Sequence, residues 1–264
     1  MSFYTSLSGL KAAQTDLDVI AHNIANSETA GFKRSRVEFA DVVVASASSS
    51  AAGATGIGVK ISGADQDFAI GPIEQTGGGL DLAIGGDGFF TTVSQLSGQA
   101  RYTRNGSFSM DAAGFLTDST GNRLQMLATG ATTPTDAQVP MLNAAGSAYA
   151  GLAIGVDGSI AATYLDGTTT TVGKVALASF VSPTGLKTIG ASNWAATGLS
   201  GTPVYGTPGT AAFGDLQSGA IERSNVDVSA ELVNLITAQR YFQANAKAVD
   251  TASQVSQTII NMRS

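Results

Sequence analysis

Ser8 and Lys11 stand three apart in the tetrad SGLK, the spacing at which a serine nucleophile and a lysine base share one face of a helix. Acyl transfer by such a pair also needs Ser-Asp-Asn and Lys-Thr-Gly motifs, and the chain has neither. His22 is the single histidine. A Ser-His-Asp triad would have to be built around it on the first helical segment, and a histidine-centred metal site would need carboxylate or amide for every other ligand. His22 is therefore read as a polar position on a helix surface. Asp16 and Asp18 lie two apart, which on a helix points them to different faces and excludes a carboxylate dyad. Asp65 and Asp67 share that spacing in a loop, with nothing nearby to complete a cation site. The stretch GATGIGVK, Gly53 to Lys60, lacks the Gly-x-x-x-x-Gly-Lys-Ser/Thr spacing that wraps backbone N–H groups around a phosphate, and reads as a linker. The absence of cysteine removes disulfides, thiolate nucleophiles and cysteine-built zinc sites together. The expectation is a protein with no catalytic residue, no cofactor and no metal, hence no enzyme.

The cations of GFKRSR have a different use. Lys33, Arg34 and Arg36 follow a helix stop, where positive charge complements the helix dipole. In a chain of net charge −6 they are also read as cations that dock on acidic surfaces of neighbouring copies. The segment before them carries an apolar seam at spacing three and four, Phe3, Leu7, Leu10, Gln14, Leu17, Ala21, Ile24, with Gln14 as its polar member. A helix over 3–26, on the order of 35 Å long, is predicted, ending at NSETAG, where Gly31 can take positive φ. The other end answers it with Val228, Leu232, Leu235, Gln239, Phe242, Ala246, Val249, Ser253, Ser256 and Ile260, uninterrupted by glycine or proline. Ser229 is the expected N-cap, and Glu231 sits in a first turn that favours a carboxylate.

Between these ends, from about Val59 to Ser218, short runs of Val, Ile, Thr and aromatics alternate with Gly, Asn and Asp. RNGS, DAAG, VDGS and LDGT read as hairpin turns in an all-β body. Asn105-Gly106-Ser107 also fits a glycosylation acceptor but reads first as a turn. VVVASASSSAAGATGIGV, at 42–59, is expected to be a mobile or weakly packed connector, and an Ala/Thr-rich stretch near 128–150 an inserted loop or very small domain. The fold class expected is mixed: a coiled-coil-like pair of terminal helices plus an all-β body.

Composition narrows the partners. Charged residues make up 13% of the 264, about half the usual share, and there are 32 glycines. So little surface charge hints at self-association, with Gly-rich β structure as the alternative reading. The acidic balance argues against nucleic acid. No apolar run reaches the eighteen or so residues of a membrane span, so no membrane insertion is expected. Lys11, Asp16 and Asp18 break the opening segment as a cleaved secretory leader.

The opening 39 residues resemble the N-terminal signature of the bacterial flagellar axial proteins, the rod, hook and hook-associated family: a seamed helix, Asn-x-x-Asn, then Gly-Phe-Lys, here Asn23, Asn26, Gly31, Phe32 and Lys33. SNVDVSAELVNLITAQRYFQANAKAVDTASQ is similar to the matching C-terminal signature, and DLAIGGDGFF, YTRNGSFSMDAAGFL and VGKVALASFVSPTGLKTIGASNWAAT are also family-like. MSFYTSLSGLKA, NWAAT and VDVSAELVNLITAQR look more like the hook branch than the distal-rod branch.

The resemblance implies an inner helical domain at 1–30 and 225–264, a connector at 31–70, a β domain at 71–127 and 150–224, and a short insertion at 128–149 where many hook proteins carry a large outer domain. It implies a subunit of the hook, a flexible torque-transmitting hollow tube on the cell exterior, exported by the flagellar type III apparatus without a cleaved leader. The distal rod is the alternative, and a monomeric β-rich enzyme or binding protein a further one. Implied partners are other copies in a helical polymer and the rod, hook-cap and hook–filament junction proteins. Assembly is expected to use Phe3, Leu7, Leu10, Leu17, Asn23, Ile24, Asn26, Gly31, Phe32, Lys33, Leu232, Leu235, Phe242, Val249 and Ile260.

Overall fold

The computed structural model describes residues 2–44, 55–128, 130–210 and 213–263. The fold is mixed, with a helix near each end and a large β body between them. The chain divides into two compact units. The first comprises 1–27, 34–67 and 226–264; the second comprises 28–33 and 68–225.

In the first unit, α1 (Ser2–Ala25) and α2 (Val228–Arg263) run antiparallel, about 36 and 54 Å long. α1 stops where expected: Asn26 returns its backbone N–H (3.2 Å) and its side-chain amide (2.9 Å) to the His22 carbonyl, and Gly31 takes φ +66°. α2 is capped two residues earlier than expected. Asp227, not Ser229, is its cap, accepting the N–H groups of Ser229 at 2.8 Å and Ala230 at 3.2 Å.

Within the 42–59 stretch, residues 45–54 lie outside the described residues. The flanking residues correct the expectation of weak packing, because β1 (Ser35–Val44) and β2 (Thr55–Gln66) pair antiparallel as a ladder with two register shifts. β-Branched residues in both strands favour this pleated pairing. The ladder is tied to α1 by Ser8, whose Oγ accepts from Val59 N–H, and by Thr5, which donates to the Ile57 carbonyl.

The second unit opens with β3 (Ile73–Gln75), β4 (Leu82–Gly85), β5 (Phe89–Val93), β6 (Ala100–Thr103), β7 (Ser109–Met110) and β8 (Leu116–Thr117). It continues with β9 (Arg123–Leu127), β10 (Thr135–Asp136), β11 (Tyr149–Ile154), β12 (Ser159–Tyr164), β13 (Thr169–Val175) and β14 (Leu177–Ser179). It closes with β15 (Lys187–Gly190), β16 (Asn193–Ala195), β17 (Val204–Gly206), β18 (Asp215–Ser218) and β19 (Ala220–Glu222). The main sheet has the order β11-β12-β13-β9-β5-β6-β16-β15, and β18-β4 and β19-β3 form separate pairs.

VDGS and LDGT turn the hairpins β11–β12 and β12–β13, and DAAG turns β7–β8, as expected. RNGS does not turn a hairpin, since β6 pairs with β5 and β16 while β7 pairs with β8. Gly106 is needed there for another reason: a side chain on it would strike the Leu82 carbonyl, which accepts no such intrusion while Leu82 N–H bonds to Gly106 O at 2.9 Å.

One cluster of the core gathers Leu82, Ile84, Phe90, Leu124, Ile160 and Leu177, and a second stacks Phe89, Phe180, Tyr102 and Trp194 edge to face. In the Ala/Thr-rich stretch, residue 129 lies outside the described residues. The remainder is woven into the body: β10 pairs with β9, and Ala137 and Val139 are buried in the main core.

Candidate assembly surfaces

The inner face of the helix pair is built mostly from small and polar residues, with Ile20 as its large apolar member. Ala12, Ala13, Ile20 and Asn23 of α1 are buried, as are Glu231 and Ala238 of α2. A side chain on Gly9 would lie 2.6 Å from Asn245 Oδ1, so the helices approach closely there. The seam expected for α1 is therefore rotated. Gln14 and Ala21 face outward, while Leu7, Leu10, Leu17 and Ile24 are half-buried at the flank and Phe3 is exposed. On α2, Leu235, Phe242 and Val249 are half-buried, and Leu232 and Ile260 are exposed. From residue 253 onward every described side chain of α2 is exposed. Val255, Ile259, Ile260 and Met262 thus sit on an apolar overhang of about 16 Å that α1 is too short to cover.

A cavity of about 250 Å³ opens between the helices and the start of β1, with Asp16, Asn23, Arg34, Glu231 and Ala238 on its walls. Asn23 holds the first residue of β1 at both ends, its amide donating to Ser35 O at 2.8 Å and its carbonyl accepting Ser35 N–H at 2.9 Å. Glu231 is buried beside Arg34 at 3.5 Å. Burial raises the Asp16 carboxyl above the usual carboxylate range.

In the second unit the Gly-Phe-Lys segment is interior. Gly31 packs against the Arg104–Asn105 backbone, where a side chain would collide, and Phe32 is buried. Lys33 overturns its expected role as a cation offered to neighbours. It is wholly buried, 2.6 Å from Glu222 Oε1 and 2.6 Å from the Ala69 carbonyl. Glu222 Oε1 also accepts the Gly71 N–H at 2.9 Å, and Oε2 accepts Arg104 Nη1 at 3.2 Å. Burial pulls the Arg104 pKa below its ordinary value, and Glu222 opposes that shift. A carboxylate that receives two cations and a backbone N–H in the dry interior keeps its charge compensated, and losing it would leave both cations stranded. Arg223, bonded to Glu28 and at 2.8 Å to Glu74, adds a half-exposed pair on the same segment. No sequence signal marks Glu222 or Arg104, which lie 189 and 71 residues from Lys33 and meet it only through the sheet.

These surfaces belong to a chain with an uncovered helix pair, and among the described residues no group of three or more His, Asp or Glu is placed to hold a metal ion. Residues 3–33 match the family described as flagella basal body rod protein, 83–162 the flagellar hook protein FlgE/F/G D1 domain, and 217–262 the flagellar basal body rod FlgEFG protein C-terminal family. The flagellar basal-body rod protein FlgG of Bacillus subtilis is 37% identical over 274 residues, covering 99% of this chain and 98% of that protein. The corresponding FlgG of Agrobacterium fabrum is 33% identical, with 95% of each chain covered. The flagellar hook protein FlgE of Salmonella typhimurium is 28% identical with both chains covered in full, but that alignment runs to 411 positions against the 264 residues here, so the hook relative is the longer protein. The chain belongs to the flagellar rod and hook axial protein family.

Proposed function

We propose that this chain is a structural subunit of the flagellar hook, polymerising with its own copies into a hollow helical tube that transmits torque while bending. The observation that carries the reading is the apolar surface left uncovered on both helices: Phe3, Tyr4, Leu232, Ile236, Ile259 and Met262 are exposed in a single chain. Apolar faces of this extent mark association sites. In the assembled tube, 1–30 with 225–264 form the inner helical layer, 31–70 the connector, and 71–127 with 150–224 the outer β layer. Residues 128–149 stand where longer relatives carry an outer domain. The subunit acts by assembly and not by catalysis, and its neighbours are the rod, the hook cap and the hook–filament junction. It reaches the cell exterior through the flagellar type III apparatus.

The distal rod is the second reading, favoured by rod relatives that match over 95% or more of both chains. Electron microscopy of polymers formed by the purified chain separates the two: curved, supercoiling tubes support the hook, and uniformly straight tubes replace it with the rod. A narrow seam gains most of its stability from packing, so the helices are proposed to become firmly ordered on assembly. Amide exchange is expected to show little protection over Leu7–Ile24 in the monomer and strong protection in the polymer. Strong protection before assembly contradicts that coupling.

A further inference from the structure

We infer that Asn105-Gly106 is a modification site that limits how long the chain can stay unfolded: ring closure there converts Asn105 to isoaspartate, and a chain so altered no longer closes its β body. The pair is the single Asn-Gly of the sequence. The reaction needs only water. The Gly106 backbone nitrogen attacks Asn105 Cγ, the Cγ–Nδ2 bond breaks, and ammonia leaves with the proton that Gly106 gives up. Water then opens the five-membered succinimide. Opening at Cγ restores the main chain as aspartate, whereas opening at the main-chain carbonyl leaves the chain running through Cβ and Cγ as isoaspartate, longer by one methylene, about 1.5 Å. Glycine in second place favours closure in an unfolded chain, because no Cβ shields the attacking nitrogen and the backbone reaches conformations that other residues avoid.

The fold blocks this closure. Asn105 is held from both sides, its N–H donating to Thr103 Oγ1 at 3.0 Å and its Oδ1 accepting the Ser107 N–H at 3.1 Å. Thr103 Oγ1 is itself fixed, donating to the Ser192 carbonyl at 2.7 Å. Gly106 is buried, and its carbonyl accepts the Leu82 N–H at 2.9 Å. Rotating Asn105 Cγ onto the Gly106 nitrogen gives up the Ser107 bond and moves Gly106 off Leu82, so closure requires the segment to open. The same contacts reject the product. Gly106 lies so close to the Leu82 carbonyl that a Cβ would collide with it, and that Cβ would also come within 3.1 Å of the Phe90 ring. The Arg104–Asn105 backbone touches Gly31, which likewise has no room for a side chain. Leu82 and Phe90 belong to the main core and are fully buried. An interior packed this closely does not absorb an added methylene in the main chain. Aspartate at 105, by contrast, keeps the acceptor for the Ser107 N–H. The formed body therefore protects Asn105, and a chain that folds too late is lost irreversibly by chemical change of its unfolded state.

Trp194, buried in the body, reports refolding of the full chain by its fluorescence, without any need for assembly. Chain held unfolded in guanidinium chloride at mildly alkaline pH is expected to lose refolding yield with time, and peptide mapping of the fraction that fails should show isoaspartate at 105 with the mass gain of deamidation. Chain held folded for the same period should convert at 105 at least about tenfold more slowly, because the segment must first open. Asn105→Ser keeps a hydroxyl acceptor for the turn and cannot form the ring, so it should hold its refolding yield throughout. Equal conversion in the folded and unfolded chains overturns the protection. Chains with isoaspartate at 105 that regain the wild-type fluorescence and urea midpoint overturn the exclusion. Should Asn105→Ser fail to fold, these two measurements on the wild-type chain decide the matter alone.

Discussion

The helical unit and the β body place their apolar residues in opposite ways. In the body, Leu82, Ile84, Phe90, Leu116, Leu124, Ile160, Leu177 and Trp194 are almost completely withdrawn from solvent, each contributing roughly 1.5–3 kcal/mol by burial. In the helical unit the buried apolar residues are few and mostly small, Ala12, Ala13, Ile20, Val37 and Ala238, while larger ones such as Tyr4, Ile236, Tyr241 and Ile259 remain exposed. The body keeps its stabilising surface inside one chain. The helices hold theirs outside, where burial requires another molecule. The contrast shows how one chain can combine a self-sufficient domain with a segment whose stability depends on concentration.

The sharpest way to break this contrast is to remove both helices. A chain reduced to residues 28–225 is expected to keep a cooperative β-sheet unfolding transition and to lose polymerisation entirely, as followed by light scattering and electron microscopy. Normal tubes from that chain would show that the helices are dispensable.

The next test addresses the body's buried charges. Glu222→Ala should destabilise the body by about 3–5 kcal/mol in urea unfolding, because Lys33 and Arg104 lose their common carboxylate in a dry site. A loss below 1 kcal/mol would mean that the cluster is solvated. A smaller effect is expected across the helix pair, where Ala238→Leu overfills a face matched to small residues and should cost about 1–3 kcal/mol, read as lost helical ellipticity with the body's melting unchanged.

Two pH effects complete the comparison. The Asp16 carboxyl is raised by burial, so protonation favours the folded helix pair, and its contribution is present at low pH and lost as pH rises through the folded pKa. Asp16→Asn should therefore stabilise the pair at neutral pH and flatten its pH dependence. In the body, hydrogen bonds from the Thr168 hydroxyl, the Thr168 backbone N–H and Asn143 hold the exposed Asp166 down to about 2. Its contribution is complete above the unfolded carboxylate pKa near ~3.9 and is lost as pH falls through the folded value. Asp166→Ala should give the smallest change, confined to fraying of the β12–β13 turn in amide exchange above pH 4, and none at the acid end.

Much of this was legible in local pattern. A three-four apolar period and the Asn26 to Gly31 stop define α1, and Asp-Gly pairs define the β11–β12–β13 hairpins, because both depend on neighbours within a few residues. The expectation of weak packing at 42–59 missed its described flanks because Ser, Ala and Gly composition reports average stiffness and overlooks the ladder that Val42–Val44 and Ile57–Ile61 enter once a partner strand is present. Within one chain the seam is turned to the flank, since which stripe of an amphipathic helix faces inward depends on how closely its partner can approach. Here Gly9 lies against Asn245, and the buried positions are Ala12, Ala13, Ile20 and Ala238, not the largest apolar residues.

What the sequence alone determined is what short-range chemistry controls: two terminal helices, a turn-rich β body, a family signature at both ends, and no cysteine or histidine cluster for catalysis. What only the tertiary structure decided is the fate of the signature's own residues. Lys33 reads as a surface cation in a basic run, yet the sheet brings Glu222 and Arg104 to it across most of the chain and leaves it dry. A charge's environment is a sum over spatial neighbours, and partners this far apart along the chain are set by topology.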